Sequence, residues 1–397
     1  MPAQSTPPSP APPATPSPAP PATPSPAPPA TPSPAPPATP AGFLRSAAEA
    51  AAELSWTGQG WLAAGEPLGD RPDATEVTRL RGLRALTVWW PSAEVPADAI
   101  TGLAAAGVPL HAAASPAWVE PGLARLLAAW TPEEGGGGPR SVTDLRREEH
   151  SVRLRRHGLR SRDAAATPAV SVVMSSMRPH LLGSALAQIA RQRRVETEVL
   201  LALHGVPAGH EAVRRAVREC GLPVTVIEAD AETPFGEVLN LAASRASGEY
   251  VAKWDDDDWY GPEHLADLLL ARSYAGADIV GTAAEFFYLE PLNATIRRTD
   301  YTSEVWSDHV AGGTILLDRA RYTELGGFPA LPRGVDAGFL KAAHAAGARI
   351  YRTHGLGYVL RRSVSAEHTW RLSLAHFLRV AANQWRGFRP SLILEER

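Results

Sequence analysis

The stretch 249–265, EYVAKWDDDDWYGPEHL, sets an apolar run directly against four adjacent carboxylates, Asp255, Asp256, Asp257 and Asp258. EYVAKW has the short, continuous apolar and aromatic content of a buried strand. PEHLADLLLARSYAG, which follows, carries a helical pattern with Pro262 at its first turn. Four like charges repel one another, so their concentration where a strand ends calls for a compensating partner. Side chains alternate along an extended segment, which places Asp255 and Asp257 on one side and Asp256 and Asp258 on the other. Two carboxylates on one side become favourable when a divalent cation lies between them and an anion. Oxygen ligands suit Mg²⁺ or Mn²⁺, and Mg²⁺ commonly combines one or two carboxylates with substrate phosphates. A calcium EF-hand loop fails here, because Tyr260 stands where that loop needs glycine and Ala266 where it needs glutamate. Capping of the next helix by Asp258 explains one aspartate, not four.

Outward from this stretch, AVSVVMSS, EVLLALHG and PVTVIEAD read as strands. HLLGSALAQIARQ, GHEAVRRAVREC and FGEVLNLAASRA alternate with them as helices. That pattern predicts an α/β fold with an open, mostly parallel sheet flanked by helices. Ligands of such sheets bind outside the carboxyl ends of the strands. The loops after SVVM, LLAL and VAKW share that edge, so the aspartates stand where a ligand is expected.

The expected organisation has five parts. Residues 1–41 repeat ATPSPAPP and have almost no large apolar side chains, which predicts a disordered, extended Pro/Ala-rich tail. Such a tail is either a spacer or a ligand for a partner that reads proline-rich segments. Residues 42–132 predict a small α/β domain of unknown role, without G-x-G-x-x-G. In it FLRSAAEAAAEL, DAITGLAAAG and PGLARLLAAW read as helices, and LRALTVWW and VPLHAAA as strands. Residues 133–167 hold the Gly-rich boundary EEGGGG and a strongly charged linker helix expected to lie exposed, its arginines solvated. The main domain spans 168–389, and 390–397 is a short C-terminal tail.

The net charge of -3 provides no field for nucleic acid. Cys220 is the sole cysteine, which excludes an intramolecular disulfide and any cysteine-based zinc site, and fits a reducing, cytoplasmic setting. No apolar run approaches membrane-spanning length, and the N-terminus lacks the basic and apolar regions of a secretory signal.

Four motifs in order along the chain carry a family resemblance: VSVVMSSMRP, LNLAASRASGEYVAKWDDDD, GGTILLDRARYTELGGFP and RGVDAGFLKAAHAAGARIYR. The segment from Pro168 to about Arg371 resembles the family 2 glycosyltransferases of the GT-A fold. The resemblance implies a metal-dependent, inverting, hexosyltransferase-like enzyme. Its donor would be a nucleoside-diphosphate sugar, and its acceptor an unread glycan, lipid-linked or small-molecule hydroxyl. By position, Asp255 and Asp257 are the ends of a D-x-D motif. Asp257 would ligate the metal, while Asp255, with Asp256, would contact the donor's ribose or the metal's water shell. Ser175, Ser176 and Arg178 fall in the loop that holds the base. Leu203 and His204 stand where many members carry aspartates that read uracil, so the donor base stays open.

Asp336 falls at the general base, with Val335 where a further carboxylate usually precedes it. The competing reading of Asp336 is a helix N-cap. His368 falls near a position that completes the metal–diphosphate site, or else it is a polar group packed beside Trp370. Trp254, Trp259, Trp306 and Trp370 serve either as sugar platforms or as core. LAHFLRVAANQW reads as an amphipathic helix, packed on the domain or in peripheral contact with a membrane. Two rivals remain. One is a nucleotidyltransferase on a similar fold, for which SSMRPH is too poor in glycine. The other is a catalytically inactive sugar- or nucleotide-binding adaptor.

Overall fold

The structure, a computed structural model, describes residues 38–42, 50–132, 142–161, 167–363 and 372–396. Most of the repeat tail, the EEGGGG boundary, His368 and Trp370 lie outside them. Three sheets organise the described residues.

The first sheet holds β1 (Ala51–Trp56), β2 (Trp61–Ala63), β3 (Glu66–Leu68), β4 (Ala85–Trp89) and β5 (Leu110–His111), in the order β3-β2-β1-β4-β5. Helices α1 (Ala74–Arg81), α2 (Asp98–Ala105) and α3 (Pro121–Ala128) connect and cover it. The run AAELSW, its first four residues expected to close a helix, is the central strand β1. It pairs parallel with β4 and antiparallel with β2, and Leu54 is fully buried. Helix propensity is worth only tenths of a kcal/mol per residue, so strand pairing on both sides overrides the alanines.

Helix α4 (Val142–Arg160) also departs from expectation. Instead of exposing its charges, it buries most of them between the first sheet's layer and the rest of the chain. Towards α2 it approaches so closely that a Cβ at Gly158 would sit 2.4 Å from the Ala105 backbone N. Arg147 donates to the carbonyls of Arg81 (2.7 Å), Leu83 (2.8 Å) and Arg84 (3.1 Å). On its other side Arg155 meets Glu304 at 2.7 Å, Arg156 meets Asp267 at 2.7 Å, Arg160 meets Glu263 at 2.6 Å, and Glu148 pairs with Arg297. Charges this deep are tolerated because each has a partner.

The main sheet has eight strands in the order β14-β16-β11-β15-β9-β6-β7-β8. They are β6 (Ala169–Ser176), β7 (Glu196–His204), β8 (Val224–Ala229), β9 (Tyr250–Trp254), β11 (Ile279–Thr282), β14 (Val305–Trp306), β15 (Leu316–Asp318) and β16 (Ile350–Thr353). β9, β6, β7 and β8 run parallel, and β15 is antiparallel to both its neighbours. Val170, Val172 and Met174 of β6 face a core built with α5 (Leu182–Ala190), α6 (Glu211–Glu219) and α8 (His264–Ala275). Val173 faces the opposite core, built with α7 (Phe235–Ala243) and α10 (Val335–Ala345). Burial on both faces explains why these strands are continuously apolar.

A smaller sheet, which the sequence pattern did not suggest, runs β10-β17-β12-β13-β18: β10 (Trp259–Tyr260), β12 (Phe286–Leu289), β13 (Ala294–Arg297), β17 (Tyr358–Arg362) and β18 (Asn383–Arg386). The short α9 (Arg319–Glu324) follows β15. LAHFLRVAANQW is split between α11 (Leu374–Val380) and β18, because Asn383, Gln384 and Trp385 find strand partners in β13. No helix among the described residues is long and apolar enough to cross a membrane.

Candidate functional site

The carboxyl ends of β6, β7 and β9, the first turn of α10 and the backbone 311–313 enclose a cleft of about 460 Å³. Ser175, Ser176, Arg178, His204, Asp255, Asp256, Asp257, Asp258 and Asp336 all line it. The acidic segment is a tight turn between β9 and β10, not extended chain. Simple alternation therefore fails, and the four carboxylates enter four environments.

Asp255 accepts from the Lys253 Nζ at 2.6 Å, and its backbone N–H donates to the Tyr260 hydroxyl at 3.0 Å. Asp256 is buried, accepting from Ser176 Oγ at 2.5 Å and from Arg178. Burial pushes its carboxyl up, and the Arg178 guanidinium only partly offsets this. Asp257 accepts from Arg178 Nη1 at 2.8 Å. Asp258 accepts from the Tyr358 hydroxyl at 2.5 Å and the Arg361 N–H at 2.9 Å. Burial raises its carboxyl well above the usual range, with Asp257 and Asp255 adding to the effect. Asp258 thus anchors β17 rather than capping α8, whose N-cap is Glu263.

Asp336 sits in the first turn of α10, where Gly334, not Asp336, is the N-cap. The helix dipole favours a carboxylate there. Its Oδ1 lies 3.3 Å from Lys253 Nζ, and about a third of the side chain (31%) is exposed. Burial in the cleft floor raises the Asp336 carboxyl, the Lys253 ammonium opposes that, and Asp255 adds to it. Burial alone would lower the Lys253 ammonium, but the two carboxylates reverse this and hold it above an ordinary lysine.

Gly312 and Gly313 make room for this arrangement. A Cβ at Gly312 would lie 2.2 Å from Asp336 Oδ2, and one at Gly313 would lie 2.6 Å from Asp255 Oδ2. His204, on the cleft rim, hydrogen-bonds to the Ala231 carbonyl at 3.1 Å. Arg298, Tyr301 and His309 form a further part of the rim, with Arg298 stacked 4.7 Å over the Tyr301 ring.

Sequence reasoning missed Lys253, the Gly312–Gly313 pair and that part of the rim. Lys253 did leave a signal: one of only two lysines in an arginine-rich chain stands inside a buried strand. Trp254 is core, stacked 3.7 Å from Tyr260. Trp259 packs on Tyr288, and Trp306 on Tyr351; none of the three lines the cleft.

Among the described residues no three His, Cys, Asp or Glu side chains converge as a complete ligand set. Asp255 and Asp257 are nonetheless hard oxygen donors on the cleft wall. That donor set fits Mg²⁺ or Mn²⁺, whose remaining positions are commonly filled by phosphate oxygens and water.

Residues 171–322 match the family model described as glycosyl transferase family 2. An uncharacterized glycosyltransferase of Bacillus subtilis (strain 168), YwdF, is 27% identical over 169 residues, covering 40% of this chain and 61% of that protein. The chain therefore spans about three fifths of that relative's length. Among solved structures, a mannosyltransferase from Pyrobaculum calidifontis, PcManGT, in complex with GDP-Man and Mn²⁺, is similar with a TM-score of 0.40 and 19% identity. The match covers 52% of this chain and 60% of that one. The 1–349 fragment of S. aureus TarS, in complex with UDP-GlcNAc, gives a TM-score of 0.41 and 18% identity over 53% of this chain and 64% of that one. Asp336 and α10 lie beyond the matched residues, which run from β6 into α9 and carry Arg178, the acidic turn and the Gly312–Gly313 pair. Over residues 171–322 this chain is thus similar to glycosyl transferase family 2.

Proposed function

We propose that this protein transfers a sugar from a nucleoside-diphosphate donor to an acceptor hydroxyl, with inversion at the anomeric carbon. The observation that carries the reading is the shared ammonium. Lys253 Nζ stands 2.6 Å from Asp255 and 3.3 Å from Asp336, so a donor-side carboxylate and a candidate base face one cleft.

In this reading Asp336 takes the acceptor's proton as the new C–O bond forms. The bond from the anomeric carbon to the diphosphate breaks, and its electron pair leaves with the diphosphate. Asp257, beside Asp255, would hold a Mg²⁺ or Mn²⁺ ion, which supplies charge stabilisation for the departing diphosphate. Ser175, Ser176, Arg178 and His204, which all line the cleft, would hold the nucleotide. Arg178, which pairs with Asp257 at 2.8 Å, would have to release that carboxylate at least partly for it to hold such an ion. Cys220, buried and without a disulfide, suits a reducing cytoplasm. The acceptor is a glycan, a lipid-linked glycan or a small molecule.

The test incubates purified protein with a panel of sugar nucleotides and Mn²⁺ and follows donor hydrolysis and transfer. Turnover that disappears on chelation and in Asp257→Ala supports the reading. Binding without turnover for every donor and acceptor overturns it in favour of an adaptor. Thermal shifts with individual nucleoside diphosphates, with and without Mn²⁺, name the base.

A further expected outcome concerns the glycine pair. Gly312→Ala places a methyl against Asp336 Oδ2, and the carboxylate must move by most of an ångström. A displacement of that size costs on the order of 100-fold in turnover. Steady-state kinetics check this, with an unchanged nucleotide-induced thermal shift showing that the donor end is intact.

A further inference from the structure

Lys253 is almost wholly buried, with 2% of its side chain exposed, in a strand whose other residues are apolar or aromatic. It shares a face of β9 with Val251, which packs in the core formed with α7 and α10. Burying an ammonium is costly unless it is paired, and an apolar residue would satisfy the strand equally well. The fold itself therefore provides no reason for a lysine here. Its two partners provide one. Both Asp255 and Asp336 are cleft carboxylates, contributed by different elements, and a single Nζ lies between them. The bare backbone of Gly312 and Gly313 closes on the same two carboxylates, leaving no space for another side chain.

We propose that Lys253 is a positioning residue that clamps Asp336 to Asp255, setting the spacing between the proton-accepting and donor-holding ends of the cleft. The inference rests on the glycosyltransferase reading. Two carboxylates this close repel when no cation stands between them. Without the ammonium, Asp336 is free to rotate away from the acceptor hydroxyl while the donor still binds. With only 2% of its side chain exposed, Lys253 acts through the base rather than on the acceptor itself.

The experiment uses the full chain and the donor–acceptor pair found active. Lys253→Met is expected to lower kcat on the order of 100-fold while donor KM changes little. Lys253→Arg, which keeps the charge, is expected to recover activity to within about tenfold of the unaltered protein. In an Asp336→Asn background, Lys253→Met should change the residual single-turnover rate by no more than about twofold, because the residue it acts through is already disabled. A kcat for Lys253→Met within about twofold of the unaltered protein overturns the clamp. So does a loss of the same size in both backgrounds, the mark of a merely structural role. If Lys253→Met does not fold, Lys253→Arg carries the same two-background comparison: a loss confined to the Asp336 background supports the clamp, and an equal loss in both overturns it. If the unaltered protein turns over no donor, the glycosyltransferase reading has failed. The clamp is then judged separately by a crystal structure of Lys253→Met: separated Asp255 and Asp336 carboxylates support it, and unmoved ones overturn it.

Discussion

Asp336→Asn is expected to remove acceptor transfer almost completely, with kcat falling by about 10²–10⁴, the range supplied by a positioned proton acceptor. The substitution is nearly isosteric, and its amide oxygen can still accept from Lys253, so the cleft should keep its shape. Nucleotide-induced thermal stabilisation is therefore expected to survive, which separates loss of chemistry from loss of donor binding. The unaltered protein also has a directional pH signature. Burial in the cleft floor raises the Asp336 carboxyl, with Lys253 only partly opposing. A base must be ionised to work, so activity should fall with decreasing pH above the range of an exposed aspartate. A transfer rate for Asp336→Asn close to that of the unaltered protein would assign the base elsewhere.

The second large effect is on stability. Arg156 of α4 forms a bidentate pair with Asp267 of α8, at 2.8 and 2.7 Å, both side chains being buried. Arg156→Met leaves Asp267 buried without its main counter-ion, which is expected to cost about 3–5 kcal/mol. Urea denaturation at neutral pH measures it. Burial by itself would raise the Asp267 carboxyl, but Arg156, with help from His354, holds it well below the usual carboxylate range. A depressed carboxylate contributes stability that is present above its unfolded value, near 3.9, and is lost as pH falls below it. In Arg156→Met only His354 still opposes burial, and the Asp267 carboxyl rises. Protonation then relieves the variant as pH falls from neutral, so the gap between the two proteins should narrow towards acid. Arg156→Met with Asp267→Leu should be less harmful than Arg156→Met alone, because the unpaired charge is gone.

These two predictions draw on very different amounts of sequence information. Asp336 is legible in the sequence only through the family resemblance; spacing alone leaves the N-cap reading open. The acidic turn announces itself through charge density, yet charge density does not say which oxygen meets which cation. Arg178 and Tyr358 come to Asp257 and Asp258 from distant parts of the chain. The charged helix α4 shows the same limit from the other side. Its composition is that of a solvated helix, and only Asp267, Glu304, Glu263 and Arg297, all far along the chain, make its burial tolerable.

By itself the sequence determined the parallel core of the main sheet, because strands buried on both faces must be apolar throughout and leave a local, period-free signature. It also determined which edge of that sheet carries the acidic turn. Only the tertiary structure decided that AAELSW is a strand and that short segments such as Trp259–Tyr260 and Asn383–Arg386 build a third sheet. The reason is that strand pairing draws its free energy from partners distant in sequence, as does the pairing of a buried charge. Neither leaves a mark on the residues that local pattern can see.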